Sequence, residues 1–246
     1  MKLHKILLIM FTPPLFLRVI CVLTKKLKMS ITLLKIGAGF IVCFSAHNLL
    51  KAADSTQTIA GKYYSQGTGY LTKGNLDSAL ISFTKVIEID SQYTAAYNSR
   101  GIVYYKKGEI DKAISNYNKA IGLNPNNAKS YLNRGLAYNQ KGDLDKAIID
   151  YTIAIKFDTL YAKAYYNRGI ACVNKNELDR AIIDYKKAIK LSSKDAKAMV
   201  ELAMIYEQKK DNTKAKYWYQ KAWENKDNLN DKGKELVQTK LKDLQK

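Results

Sequence analysis

The chain has 246 residues, 47% of them apolar and 26% charged, with a formal net charge of +19. That composition is ordinary for folded protein and sufficient for one or two domains. Its two histidines, His4 and His47, both lie near the N-terminus, so the body lacks Ser-His-Asp and Cys-His catalysis and the commonest zinc sets.

The cysteines, Cys21, Cys43 and Cys172, show neither a disulfide framework nor metal-ligand spacing. The basic excess favours anionic partners, but it is Lys spread along the chain, densest in "KKLK" (25–28). It reads as a solvated lysine-rich surface rather than a nucleic-acid site.

At the N-terminus, residues 6–23 are apolar but broken by Pro13-Pro14 and Arg18. A basic stretch and a second apolar run, 31–50, follow. Read from Met29, this run resembles a signal peptide: Lys35, an apolar core from Ile36 to Ala46, then small and polar residues. Met29 would then be the true start. No clean cleavage site follows, so an uncleaved anchor is the second reading, although Lys35 and His47 interrupt the apolar stretch. In either case the preceding basic cluster places the body outside the cytoplasm. A hairpin of the two runs would instead keep the body cytoplasmic, and a buried hydrophobic helix is the remaining alternative. Residues 1–50 are therefore expected to form a targeting or anchoring region, and 51–59 a polar linker.

From Ala60 to Leu229 the sequence repeats every 34 residues without insertion. Units span 60–93, 94–127, 128–161, 162–195 and 196–229. Position 8 gives Gly67, Gly101, Gly135, Gly169 and Ala203; position 20 gives Ala79, Ala113, Ala147, Ala181 and Ala215. Position 24 gives Phe83, Tyr117, Tyr151, Tyr185 and Tyr219. This is the period of a helix–turn–helix solenoid, in which no single unit can bury its apolar face. Positions 4, 8 and 11 share one face of the first helix, and 20, 24 and 27 one face of the second. Gly at 8 opposite Ala at 20 is expected to let the helices approach closely. "KGNL", "KGEI" and "KGDL" supply a left-handed turn glycine, with Asn176 in its place in "KNEL". After a more polar fifth unit, Leu236, Val237, Leu241 and Leu244 recur at helical spacing. Residues 230–246 are thus expected to cap the stack, their apolar stripe on unit five and Lys facing water.

These residues resemble the tetratricopeptide repeat family. Its pattern has an aromatic at position 4, small residues at 8, 20 and 27, aromatics at 11 and 24, and often Pro at 32. The second unit supplies Tyr97, Gly101, Tyr104, Ala113, Tyr117, Ala120 and Pro125. Departures are Cys172 and Met199 at aromatic positions, Val86 for Ala, and Ser91, Thr159, Ser193 and Asp227 for Pro. The resemblance implies an all-α, right-handed superhelical solenoid of five repeats plus the capping helix. It also implies that the first helices line a concave groove that takes a protein or peptide.

In the family, groove contacts come from positions 2, 5, 6, 9, 12 and 13. Here these give Lys129, Lys163 and Lys197; Tyr64, Asn98 and Tyr166; Asn133 and Asn167; Tyr105 and Asn139. Ammonium groups and amides suit an acidic or extended peptide, while ordinary surface residues are the plainer reading. A family subset clamps the C-terminal carboxylate of chaperone tails. Asn133 and Lys163 fit that pattern, but Asn98, Ile102 and Asn167 do not, so no such clamp is expected.

Position 7 carries Gln66, Arg100, Arg134, Arg168 and Leu202, and position 23 carries Ser82, Asn116, Asp150, Asp184 and Trp218. The two change together, which predicts Arg134–Asp150 and Arg168–Asp184 bridges within units three and four. Cys172 reads as a small buried hydrophobe. No nucleophile, acid–base pair, cofactor loop or metal set stands apart from the repeat, so a non-enzymatic scaffold without cofactor is expected. A cytoplasmic adaptor and a basic nucleic-acid binder are the rival readings.

Overall fold

A computed structural model describes residues 46–244, with side chains from residue 57 onward. The signal-peptide reading from Met29, the "KKLK" cluster and most of both apolar runs fall on residues 1–45, outside the described ones. The chain divides into two compact units, Met1–Tyr63 and Tyr64–Lys246. In the first, the described backbone from Ala46 is helical.

Helix α1 (Ala46–Thr72) leads into α2 (Leu76–Ile89). The following repeats are α3 (Thr94–Lys106) with α4 (Ile110–Leu123), α5 (Ala128–Lys141) with α6 (Leu144–Phe157), and α7 (Ala162–Asn174) with α8 (Leu178–Leu191). The last pair is α9 (Ala196–Gln208) with α10 (Asn212–Glu224), followed by a 3-10 turn (Lys226–Asn228) and α11 (Asp231–Asp243). No strand occurs among the described residues. From the second repeat onward each first helix packs on its own second helix, and each second helix packs on the next first helix. The first helices of neighbouring repeats also meet, α3 with α5 and α5 with α7. This is the architecture of an all-α solenoid of helical hairpins.

The residues expected to be a linker, 51–59, are helical and continuous with the first helix of the first repeat. They contain neither Gly nor Pro, and Ala52 and Ala53 favour helix, so nothing stops it from extending backward. Asn75, Asn127, Asp143, Asp195, Asp211 and Asn230 cap helix N-termini, each accepting from a backbone N–H in the first turn. Turns between paired helices need one left-handed residue. Gly74, Gly108, Gly142 and Asn176 supply it, as the sequence suggests, and Lys210 does so in unit five at φ +61°.

The three buried registers are continuous from unit to unit. Positions 20 and 27 are fully buried throughout, as are the position-24 rings. The glycine at position 8 has a different neighbour from the one its spacing suggests. An added Cβ at Gly101 or Gly135 would lie 2.5 Å or 2.6 Å from Cε1 of Tyr117 or Tyr151. It is the aromatic ring, rather than Ala at 20, that occupies the space glycine leaves. From Leu132 to Val237, units three to five and α11 share one buried cluster. The apolar stripe of α11 is narrower than its spacing suggests. Val237 is fully buried and Leu241 and Leu244 pack on the core, whereas Leu236 is 36% exposed.

Gly135→Ala tests the ring contact. Tyr151 is fully buried and cannot swing aside. The clash should outweigh alanine's better helix propensity and cost about 1–2 kcal/mol, read as a lower urea midpoint.

Candidate functional site

Arginine at position 7 holds three helices together. Arg134 Nε and Nη2 donate to the two carboxylate oxygens of Asp150, both at 2.8 Å, and Nη1 donates to Asn118 Oδ1 at 2.6 Å. Asp150 belongs to the same repeat and Asn118 to the second helix of the preceding one. Arg168 repeats the arrangement with Asp184 at 2.8 and 2.7 Å and Thr152 at 3.0 Å. Arg100 does so with Asn116 at 2.8 Å and Thr84 at 3.4 Å. Each guanidinium also lies over the position-4 ring of its own helix, Tyr97, Tyr131 or Tyr165. Asp150 and Asp184 are only 2% and 3% exposed, so each carboxylate depends on its arginine for compensation. The hydrogen bonds of each arginine run to other helices of the stack.

A second ladder ties each repeat to the next at the surface. Lys107 reaches Asp77 at 2.5 Å, Lys141 reaches Asp111 at 2.5 Å, and Lys209 reaches Asp179 at 2.8 Å. Lys175 pairs with Asp145 in the same way. These acids stand in water, so the pairs contribute little to stability. They do, however, occupy the acidic N-terminal turns of α2, α4, α6 and α8.

The first helices differ. Lys129, Lys163 and Lys197 are the second residues of α5, α7 and α9, whose first turns carry no acid. All three are exposed, and none pairs with a carboxylate among the described residues. Their charge adds to the positive end of each helix dipole, which only in α9 is met by a carboxylate, the N-cap Asp195.

Other groove candidates are half-buried. Asn133 Nδ2 donates to Asn98 Oδ1 at 3.1 Å, joining units two and three, and Ser130 Oγ donates to the same oxygen at 3.4 Å. Asn167 Nδ2 turns back to the Lys163 carbonyl at 2.6 Å. Asn139 Oδ1 is buried without a partner among the described residues. Burial raises the Tyr105 phenol, and burial together with Glu201 pushes Tyr166 up to about 12. Tyr64 stands apart from the lysines. It packs on Phe83 and Tyr93, and its hydroxyl hydrogen-bonds Ser99 Oγ at 3.2 Å. Cys172 is fully buried, and desolvation pushes its thiol up, consistent with a packing role.

At the C-terminal end of the row, Val173, Glu201, Met204, Ile205, Glu207 and Gln208 line a cavity of about 480 Å³. Glu207 accepts from Lys240 Nζ at 2.6 Å and from Tyr219 Oη at 2.9 Å. Glu201 has no such partner, and burial raises its carboxyl above the ordinary range.

Tetratricopeptide repeat models match residues 63–93, 103–141, 135–175, 162–195 and 196–228. The chain belongs to the tetratricopeptide repeat family. Among solved structures, a crystal structure of MamA is 28% identical, with a TM-score of 0.61, over 65% of this chain and 94% of MamA. Pseudomonas aeruginosa PilF is 22% identical, with a TM-score of 0.66, over 70% of this chain and 78% of PilF. YrrB, described as a tetratricopeptide repeat protein with an unusual peptide-binding site, is 21% identical, with a TM-score of 0.57, over 73% and 93%. The last two likenesses concern the fold alone. No curated protein matches by sequence.

Within this family member, sequence reasoning missed Glu201, which shares position 6 with Asn133 and Asn167. It also missed the third arm of the arginine fork and the Lys–Asp ladder. The ladder had a visible signal: Asp at position 18 and Lys at position 14 recur in successive units, 30 residues apart.

Arg134→Leu should cost roughly 2–4 kcal/mol in urea unfolding, because Asp150 is left buried and unpaired. Arg134→Leu with Asp150→Leu should lose less, as in unit five, where Leu202 and Trp218 stand at these positions. Glu201 carries a stability term of definite sign. A carboxyl raised in the folded state contributes stability below its unfolded pKa and loses it as pH rises through the folded one. Glu201→Gln should therefore melt with the wild type near about pH 4 and above it near about pH 7.

Proposed function

We propose that this protein is a non-enzymatic interaction scaffold that holds an extended, acidic stretch of a partner protein along the face of its first helices. The observation that carries this reading is the row Lys129, Lys163 and Lys197. These are three exposed ammonium groups on successive repeats, each at the positive end of a helix and without a carboxylate partner among the described residues. Lys107, Lys141, Lys175 and Lys209 are each paired with an Asp of the preceding repeat, whereas the three lysines of this row are not. The first helices also carry the half-buried amides of Asn98, Asn133 and Asn139, a side-chain type that suits a peptide backbone, and Tyr105 and Tyr166 add apolar area. Packed helices lie roughly 10 Å apart, and an extended chain advances ~3.3 Å per residue. A ligand matching the row would thus carry an acid at about every third residue. The peptide-binding site named for YrrB supports the general mode of action.

We further propose that the N-terminal region holds this scaffold outside the cytoplasm. This rests on the apolar run preceded by basic residues. Among the described residues, no helix is long and apolar enough to cross a membrane.

Photo-crosslinking in the native cell tests the groove. A benzoyl-phenylalanine in place of Tyr166 should yield a crosslinked partner, and one in place of the exposed Ile183 on α8 should not. Changing Lys129, Lys163 and Asn167 to Glu, Glu and Ala should abolish the Tyr166 crosslink while the circular dichroism spectrum stays unchanged. A crosslink that survives the triple change, or one equally strong from position 183, removes the groove reading.

A further inference from the structure

The cavity at the end of the first-helix row does not match the lysine face that leads to it. Its walls are apolar: Val173 from α7, and Met204 and Ile205 from α9. Met204 is 43% exposed although it faces a concavity. Two carboxylates border the cavity, and they are in different states. Glu207 is neutralised by Lys240 of the capping helix and bonded by Tyr219. Glu201 has no cation within reach. Lys197, one turn earlier on α9, makes no ion pair with it. The position is otherwise an amide in units three and four and a serine in units one and two. Only unit five places a carboxylate there.

A half-buried carboxylate without a cation carries an uncompensated desolvation cost. No group of three His, Cys, Asp or Glu that could hold a metal ion lies among the described residues. A cation carried on a hydrocarbon stem fits. Its charge would meet Glu201 and its methylenes would lie along Val173 and Met204. The cavity volume lies within the range of ligand sites and exceeds what one stem needs, which leaves room for an apolar neighbour.

We infer that this cavity is a subsite for a lysine or arginine flanked by an apolar residue in the bound peptide, with Glu201 as the countercharge. The inference rests on the groove reading above and gives the ligand a polarity. Its acidic stretch lies over α5 and α7, and its basic-apolar end lies against α9. A uniformly acidic ligand would meet Glu201 with like charge and stop short of the cavity.

The test uses the full chain and a dodecapeptide phage library, panned on wild type and on Glu201→Gln. Wild type should enrich peptides carrying Lys or Arg beside an apolar residue, and Glu201→Gln should lose that preference. The most enriched wild-type peptide and its analogue with Gln for the basic residue are then titrated by fluorescence anisotropy. The analogue should bind wild type about tenfold more weakly, and bind Glu201→Gln within about twofold of the parent peptide. An equal loss on both proteins, or enriched peptides without a basic residue, overturns the subsite. If enrichment fails with Lys129→Glu/Lys163→Glu yet is indifferent to Glu201→Gln, the groove stands and the subsite falls. If wild type enriches nothing, both fall.

Discussion

Three helices converge on the guanidinium of Arg134: its own α5, the paired α6 through Asp150, and α4 of the preceding repeat through Asn118. A helical hairpin of this length cannot bury its apolar face alone, so its stability comes from its neighbours. The fork converts that general need into a defined geometry. It fixes both the closure of a hairpin and the distance to the hairpin before it. Because Asp150 and Asp184 are sealed from water, neither can be solvated if the stack slips. The same junction presses the position-24 rings against the glycines of the first helices, where no Cβ would fit. The first helices of units two to four are thereby held in the same way, and Lys129 and Lys163 recur at equivalent positions on two of them.

Charge is divided between the two kinds of helix. The second helices of units one to four carry an Asp in their first turn, and the next repeat supplies a Lys to each. The first helices of units three and four carry Lys at their second residue with no acid in the cap or first turn, whereas Asp195 caps α9 beside Lys197. Some lysines are thus paired within the stack, and others, the first-helix row among them, are not. Composition alone does not separate the two. Spread lysine in a nucleic-acid binder would track a phosphate backbone. Here the free lysines sit among amides and phenols, the chemistry of a peptide groove.

Unit five departs from the others in a connected way. Leu202 and Trp218 replace the arginine fork, Lys210 takes a turn position held elsewhere by Gly or Asn, and α11 packs on the end of the stack. Lys240 of α11 comes with this change and is drawn to Glu207 rather than left in solvent. One carboxylate at the end of the row is thereby satisfied and its neighbour, Glu201, is not. The face changes from cationic to apolar and acidic within one repeat, so a ligand lying along it would be read with a direction.

Periodicity determined most of this protein's architecture. A constant spacing means that each unit repeats one local environment, so residues at equivalent positions have equivalent burial. That is why the three core registers, the left-handed turn residues and the Arg–Asp pairs were legible before any coordinates. Tertiary structure decided what depends on how one unit is placed against the next, which no single unit encodes. The guanidinium's third contact, the ring that fills the glycine's space, the exposure of Leu236 and the Lys–Asp ladder all belong to that class. So does the helical state of residues 51–59, where nothing in the local sequence stops a helix that starts to propagate. Glu201 shows the limit most clearly. Its identity is plain in the sequence, but its lack of a partner is a statement about everything around it, and only a packed structure supplies that.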